Sequence, residues 1–320
     1  MKIILIFVMS SISLFAQFGG GGPGTDKDNA YEIWTIEDLI EFGDSVSRKP
    51  DPSIGEFYNW HFGKHFRLME DIDGVTQPIG WYDLQGHFHG SGKKITVDMN
   101  EGYALFSSVT FGTIDSLIVD GISGVVGITG YNSGNISNCI NNSTIYYSGL
   151  INPITGKLEG PAGGITYSNS GTISNCINNG DITGVDRIGG IAGENSGTII
   201  NCINTGKITA TASGDNDIFS GVGGIVGTVA NHCQNISNCI NLGSVVGQGF
   251  VGGIVGLANG NPMAVTPITN CINYGYVRGT NIVSGVLGYM FNPQGVNVSN
   301  CVNVGVVEGE EDIGSIVGKE

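Results

Sequence analysis

The chain has 320 residues, 13 basic and 28 acidic, and a formal net charge of −15. A polyanion of this kind repels nucleic acid and anionic lipid surfaces, so neither is expected as a partner. With 54 glycines and only 13% charged residues, the acidic excess is read as keeping a glycine-rich chain dispersed.

The N-terminus carries Lys2, an apolar run from Ile3 to Phe15, and Ala16 before Gln17. This pattern predicts a secretory signal peptide over residues 1–16. The run is too short to span a bilayer, and no later stretch reaches about 18 uninterrupted apolar residues. No Cys stands near the cleavage point, so no lipoprotein anchor is expected there. The remaining 304 residues hold 12 basic against 28 acidic side chains, and the expected location is secreted, extracellular or cell surface.

Residues 17–63 read as a linker followed by a short helix. Thr35 is placed as an N-cap with Asp38 three residues on, Glu37 and Asp38 suit the positive helix end, and Leu39, Ile40, Phe42 and Val46 supply an apolar face. Such a helix would cover the open end of a stacked-strand fold, whose first coil otherwise exposes unpaired edges. Residues 64–123 read as first coils, and residues 124–320 as a run of repeats.

The repeats carry Asn-Cys-(Ile/Val)-Asn six times, centred on Cys139, Cys176, Cys202, Cys239, Cys271 and Cys301, at intervals of 26 to 37 residues. A wandering period marks one structural unit that tolerates insertions. In the copy from Gly189 to Ile208, Gly-Gly-Ile-Ala-Gly leads through Asn195, Ser196 and Gly197 into Thr198–Cys202, and Gly206 precedes Ile208. Three short strands bounded by Asn, Ser and Gly are expected per unit, with about three apolar anchors making a triangular core. Glycine at three or four places in each unit excludes a helical repeat, at about 1 kcal/mol for each interior Gly. Units this short also fall below the roughly 40 residues of a propeller blade. The fold class is therefore all-β, a parallel β-helix in which each unit buries its face only by stacking on the next. Leu117 stands three residues after Ile114 and four before Gly121, the register that Cys fills later. A site taking either Leu or Cys reads as an inward ladder of Leu117 and the six repeat cysteines.

These residues resemble the GLUG-motif repeats of bacterial surface proteins. Gly252–Gly256 followed by Ile268–Val277 shows the pattern, and Leu68, Asp71, Ile72, Pro78, Ile79, Gly80, Phe88, Gly90, Gly92, Lys93 and Ile95 resemble the segment that opens such β-helices. The resemblance implies a right-handed parallel β-helix displayed outside the cell. It implies no single activity, because such repeats occur in adhesin-like proteins and in non-catalytic regions beside enzymes.

Seven cysteines in an exported chain would ordinarily suggest disulfides. Ladder neighbours, however, hold their Cβ atoms about 4.8 Å apart, beyond the roughly 3.5–4.5 Å of a bridge. Reduced, buried thiols are expected, while Cys233, in an insertion beside His232, could be exposed. The Asn residues two after each Cys, at 141, 178, 204, 241, 273 and 303, are expected to form a hydrogen-bonded ladder along the stack.

No cofactor or metal is assigned. His61 and His65 lie four apart without the Glu of a zinc-peptidase helix. His87 and His89 alternate on one face within a Gly-x-Phe-x-Gly turn, and Glu70, Asp71 and Asp73 lack a recurring basic partner; all three groups read as structural. Function is instead placed on insertions that stack side by side, Thr228–Asn235, Leu257–Pro267 and Tyr289–Val296, with His232, Asn261, Met263, Tyr289, Met290 and Phe291 as the candidate binding residues. A second pair, Tyr146–Ala162 and Ala210–Val222, extends another corner. The last coil, beginning at Ile313, is either capped by Glu308, Glu310, Glu311 and Asp312, covered by a partner, or part of a fragment. The expected function is non-catalytic, adhesin-like recognition of an extracellular protein or glycan. A polysaccharide-acting β-helix lyase or hydrolase is the alternative, with a passive stalk as a third reading.

Overall fold

The structure, a computed structural model, describes residues 22–47, 61–99, 104–151, 158–211, 220–230 and 232–319. The expected signal peptide and part of the second loop pair lie outside these residues. The chain winds as a right-handed parallel β-helix, with its strands short and stacked in register from coil to coil.

Each repeat crosses four sheets, not three. In the central coil, Ile188–Gly189 belongs to sheet III, Ala192–Asn195 to sheet IV, Thr198–Ile200 to sheet I, and both Ile203–Asn204 and Ile208–Ala210 to sheet II. Register is kept from repeat to repeat, as in Ile173↔Ile199↔Ile236 on sheet I, and shifts only in the first coils, at Ile72–Val75 and Ile79–Asp83. The corner between sheets I and II needs left-handed backbone. Asn138, Asn175, Asn201, Asn238, Asn270 and Asn300 supply it with φ between 54° and 57°, and Ser116 takes the same place ahead of Leu117 with φ 55°. Asn is among the few non-glycine residues that accept this conformation.

The interior is divided into two cores where a single triangular one was expected. Ile191, Ile199 and Cys202 pack in the larger core, whereas Ile188 and Ile208 pack in the smaller. Between them runs the predicted Asn ladder. Asn141 Nδ2 donates to Asn178 Oδ1 at 2.7 Å, and the chain continues to Asn204, Asn241, Asn273 and Asn303 at 2.7–2.8 Å. The second amide hydrogen goes to backbone, as from Asn204 to Gly206 O at 2.9 Å. Opposite each Asn lies a glycine, the second of a Gly-Gly pair at Gly164, Gly190, Gly224 and Gly253, so the coil is pinched at a polar waist where only hydrogen atoms fit.

The ladder cysteines Cys139, Cys176, Cys202, Cys239 and Cys271 are fully buried, as is Leu117, and Cys301 is half-buried. All seven cysteines are free thiols. Each ladder thiol donates to the carbonyl two residues earlier, as Cys139 does to Ser137 O at 3.2 Å, and burial pushes the Cys139 and Cys202 thiols well up. Cys233 corrects the expectation of exposure. It is 3% exposed because its sulfur closes a second buried Asn chain, in which Asn132 donates to Asn169 and Asn169 to Asn195, both at 2.7 Å, and Asn195 donates to Cys233 Sγ at 3.0 Å.

The helix α1 spans Ile36–Ser47. Its entry is a reciprocal cap: Asp38 N donates to Thr35 Oγ1 at 3.2 Å, and Thr35 N and Trp34 N donate to Asp38 Oδ2 at 3.0 and 2.9 Å. Leu39, Phe42 and Val46 are buried, with the Phe42 ring 4.6 Å from Phe66, so the helix covers the first coil. Ile40, expected on the same face, is instead exposed, one position round from Leu39 on the outer side. Among the described residues no helix is long and apolar enough to cross a membrane.

Candidate functional site

The corner between sheets IV and I positions the candidate residues. On the earlier coils it is a tight Ser-Gly turn, Ser133–Gly134, Ser170–Gly171 and Ser196–Gly197, running straight from Asn132, Asn169 and Asn195 into the next strand. On the last three turns of this corner the chain bulges. Sheet IV strands ending at Val229, Asn259 and Phe291 reach sheet I only at Asn235, Thr266 and Val296.

These loops sit side by side, as their spacing predicts. Gly260 N donates to Phe291 O at 2.7 Å, the Asn261 side-chain amide meets His232 Nδ1 at 3.0 Å, and Asn261 Oδ1 accepts from Met263 N at 3.0 Å. Pro293–Gly295 forms a 3₁₀ turn in the last loop, entered through Asn292 with φ 58°. Met263 is 97% exposed, with Val265 and Phe291 about half exposed beside it. At the other end of the same corner Phe111, at φ 61°, is 76% exposed. Between these apolar ends lies a shallow groove of about 370 Å³ lined by Phe111, Ser133, Ser170, Thr172 and Gln234.

Two expected binding residues are placed differently. Met290 is 5% exposed, because its register partners Ala258, Val229 and Asn195 all occupy the inward rung of sheet IV. Tyr289 stands on the outer face of sheet IV, where its ring stacks on Phe250 at 4.6 Å. Of the six candidates, the corner thus brings together His232, Asn261, Met263 and Phe291.

The acidic group near the start serves the backbone. Asp71 accepts from Lys94 N at 2.8 Å, and Glu70 pairs with Lys93 at 3.5 Å. The histidines separate differently from their sequence spacing. His61 is buried, bonds Asp83 O through Nε2 at 3.0 Å, and has its pKa lowered chiefly by burial. His65, His87 and His89 gather on the outer face of sheet I with Asp115, which the sequence spacing did not bring forward; only the coil-to-coil register His65↔His87↔Thr113 reveals it. A second outer-face group also went unread. Tyr131 and Tyr167 lie 5.4 Å apart on sheet IV, beside Arg187, which pairs with Asp186 at 2.7 Å and Glu194 at 2.5 Å.

Comparison with known proteins shows a likeness of fold. No family profile matches the chain, and no curated protein does. A solved structure titled "putative immunoglobulin A1 protease from Bacteroides ovatus" superimposes with a TM-score of 0.57 at 19% identity, over 92% of this chain and 80% of that one. At that identity the likeness is one of fold alone.

Proposed function

We propose that this is an exported or cell-surface β-helix of the GLUG-repeat kind that recognises an extracellular protein or glycan without catalysis, through the stacked loops of the sheet IV–sheet I corner. The observation that carries the reading is the set of exposed apolar side chains, Met263, Val265 and Phe291, on loops tied to one another by hydrogen bonds. Burying these groups against a partner is favourable, and clusters of exposed apolar side chains on ordered loops mark recognition sites. The groove running from these loops toward Phe111 is lined by hydroxyl and amide groups, which suits an extended chain with alternating polar and apolar faces.

The test is a panel of glycans and extracellular proteins against the intact chain and a Met263→Ser/Val265→Ser/Phe291→Ser variant, run beside a polysaccharide degradation assay. Binding lost in the variant at unchanged melting temperature supports the reading. Degradation without loop-dependent binding overturns it in favour of an enzyme, and no binding at all favours a passive stalk.

A further inference from the structure

We propose that the outer face of sheet IV carries a second binding site, for a neutral saccharide, in which the Tyr131 and Tyr167 rings form the stacking platform and Arg187 with Glu194 supplies hydrogen bonds to sugar hydroxyls. The site needs nothing from the corner loops. Strands Thr129–Asn132, Thr166–Asn169 and Ala192–Asn195 bury their first and last residues, so the register partners Tyr131, Ser168 and Glu194 between them stand on the outer face. Tyr131 is 58% exposed, and its ring centroid lies 5.4 Å from that of Tyr167, inclined by 54°. Gly130 and Gly193 take the place of Tyr167 on the adjacent strands, so no larger side chain of that row crowds its ring. Gly193 has a further use. A Cβ there would fall 2.8 Å from Arg187 O, so its absence lets the Arg187 backbone, held at φ 47°, close down on the face beside the rings. A bulky residue stays in left-handed backbone only where its surroundings hold it.

The Arg187 guanidinium is fixed from both sides. Its Nε donates to Asp186 Oδ2 at 2.7 Å, and its Nη1 donates to Glu194 Oε1 at 2.5 Å. Those bonds use two of the five N–H groups of the planar fork, and the other three have no partner among the described residues. Burial pushes the Tyr167 hydroxyl up, the Tyr131 and Tyr147 hydroxyls add to it, and the charges of Arg187 and Glu194 act on it as well. Rings, fork and carboxylate therefore lie within one patch. Two features of the patch select its ligand. The exposed rings offer a flat apolar surface with polar tips, which a pyranose matches with a face of C–H bonds and a rim of hydroxyls. A rigid fork of donors beside a carboxylate meets two adjacent hydroxyls at once, donating to one and accepting from the other. Aromatic surface with a few fixed polar groups is the general make-up of a small-ligand site. An apolar peptide side chain would cover the rings but strip water from the open N–H groups, a cost that sugar hydroxyls avoid. Charge decides against acidic sugars, because two carboxylates stand against one guanidinium and the net charge of −15 adds repulsion.

The experiment is binding of the full chain to an array of immobilised glycans, neutral ones beside sialylated and uronate-containing ones, with unglycosylated extracellular proteins as a third arm. Binding to at least one neutral glycan is expected. Tyr131→Ala should weaken it about 10-fold, and Arg187→Lys, which keeps the charge and loses the fork, should weaken it as much. Tyr131→Phe should keep it, and both Tyr131 variants should melt at the parent temperature. The Met263→Ser/Val265→Ser/Phe291→Ser variant should bind the same neutral glycan as the parent does, so the corner surface and this one read out separately. No neutral glycan bound, a signal confined to acidic glycans or to unglycosylated proteins, or a neutral-glycan signal that Tyr131→Ala leaves unchanged overturns the site. A neutral-glycan signal lost only in the triple variant assigns the sugar to the corner loops and overturns it as well.

Discussion

The backbone of Gly190 lies directly against the side-chain amide of Asn204, so close that a methyl group on Gly190 would fall 2.4 Å from Asn204 Cγ. The pair repeats as Gly164 with Asn178, Gly224 with Asn241 and Gly253 with Asn273, each at 2.3–2.4 Å. It joins the two motifs of the repeat, since the Gly-Gly pair exists to leave room for the Asn that follows Cys. A Cβ at Gly190 would also meet Gly224 O at 2.2 Å. Because that neighbour is backbone and cannot rotate away, Gly190→Ala should cost about 1–3 kcal/mol or more, the range of overpacking. A chemical-denaturation midpoint reads it. Gly92 is the contrast: space is open around its Cβ, and an Ala there would be strained by the φ of 75° and not by packing.

Removing the other half of the pair should be felt along the stack. Asn204→Ala strands the Asn178 Nδ2 donor and the Asn241 Oδ1 and Gly206 O acceptors in a fully buried waist. Each buried group left without a partner costs about 1–3 kcal/mol. Asn204→Asp should be worse at neutral pH, since an ionised carboxylate there faces the oxygens of Asn241 and Gly206. Burial favours its protonated form, so the folded state binds a proton that the unfolded chain has released. Stability of this variant should therefore rise on acidification and fall as pH rises past the ordinary carboxylate range. Thermal melts of parent and variant across mildly acidic to neutral pH check the sign. A variant whose loss is independent of pH would mean that water reaches the waist.

The thiols should behave as core groups. Burial pushes Cys233 up to about 12, and the sulfurs of Cys139, Cys176, Cys202, Cys239 and Cys271 are sealed from solvent, so none of these six is open to a reagent in the native protein. Alkylation of the native protein should label Cys301 first, because it alone of the seven is half-buried. All seven should react once the chain is denatured. Early labelling of Cys233 would restore the exposed position that its neighbour His232 suggests in sequence.

Much of this fold was legible in the residues because a solenoid repeats its errors and its rules alike. Cys and Leu117 in one register announced an inward rung, and Asn204 with its equivalents announced a ladder. The second core was hidden because Ile208 and Ile199 look alike as apolar anchors, and nothing local says that a polar waist separates them. Met290 was misplaced for a related reason. It follows an outward Tyr289 in a segment read as loop, whereas the strand continues through Phe291 and turns Met290 onto the rung of Val229 and Ala258. The histidine cluster needed the register itself, since His65, His89 and Asp115 are spaced by coil length and by no motif.

That misplacement yields a paired test of where the recognition surface ends. Met263 and Phe291 contribute little to folding if they are surface groups, so Met263→Ser and Phe291→Ser should each change stability by no more than about 0.5 kcal/mol. Met290→Ala removes most of a buried side chain beside Ala258 and should cost about 2–5 kcal/mol. If the corner recognises a partner, the two exposed substitutions weaken binding while the protein melts at its usual temperature, and Met290→Ala lowers the melting temperature with binding kept at temperatures where the variant is folded. Tyr289 separates the surfaces further. Its ring lies on Phe250, on the sheet IV face rather than the corner, so Tyr289→Ser should leave loop-dependent binding intact. Loss of binding in Tyr289→Ser at full stability would extend the recognition surface around the edge onto sheet IV, toward the Tyr131–Tyr167 pair on the same sheet.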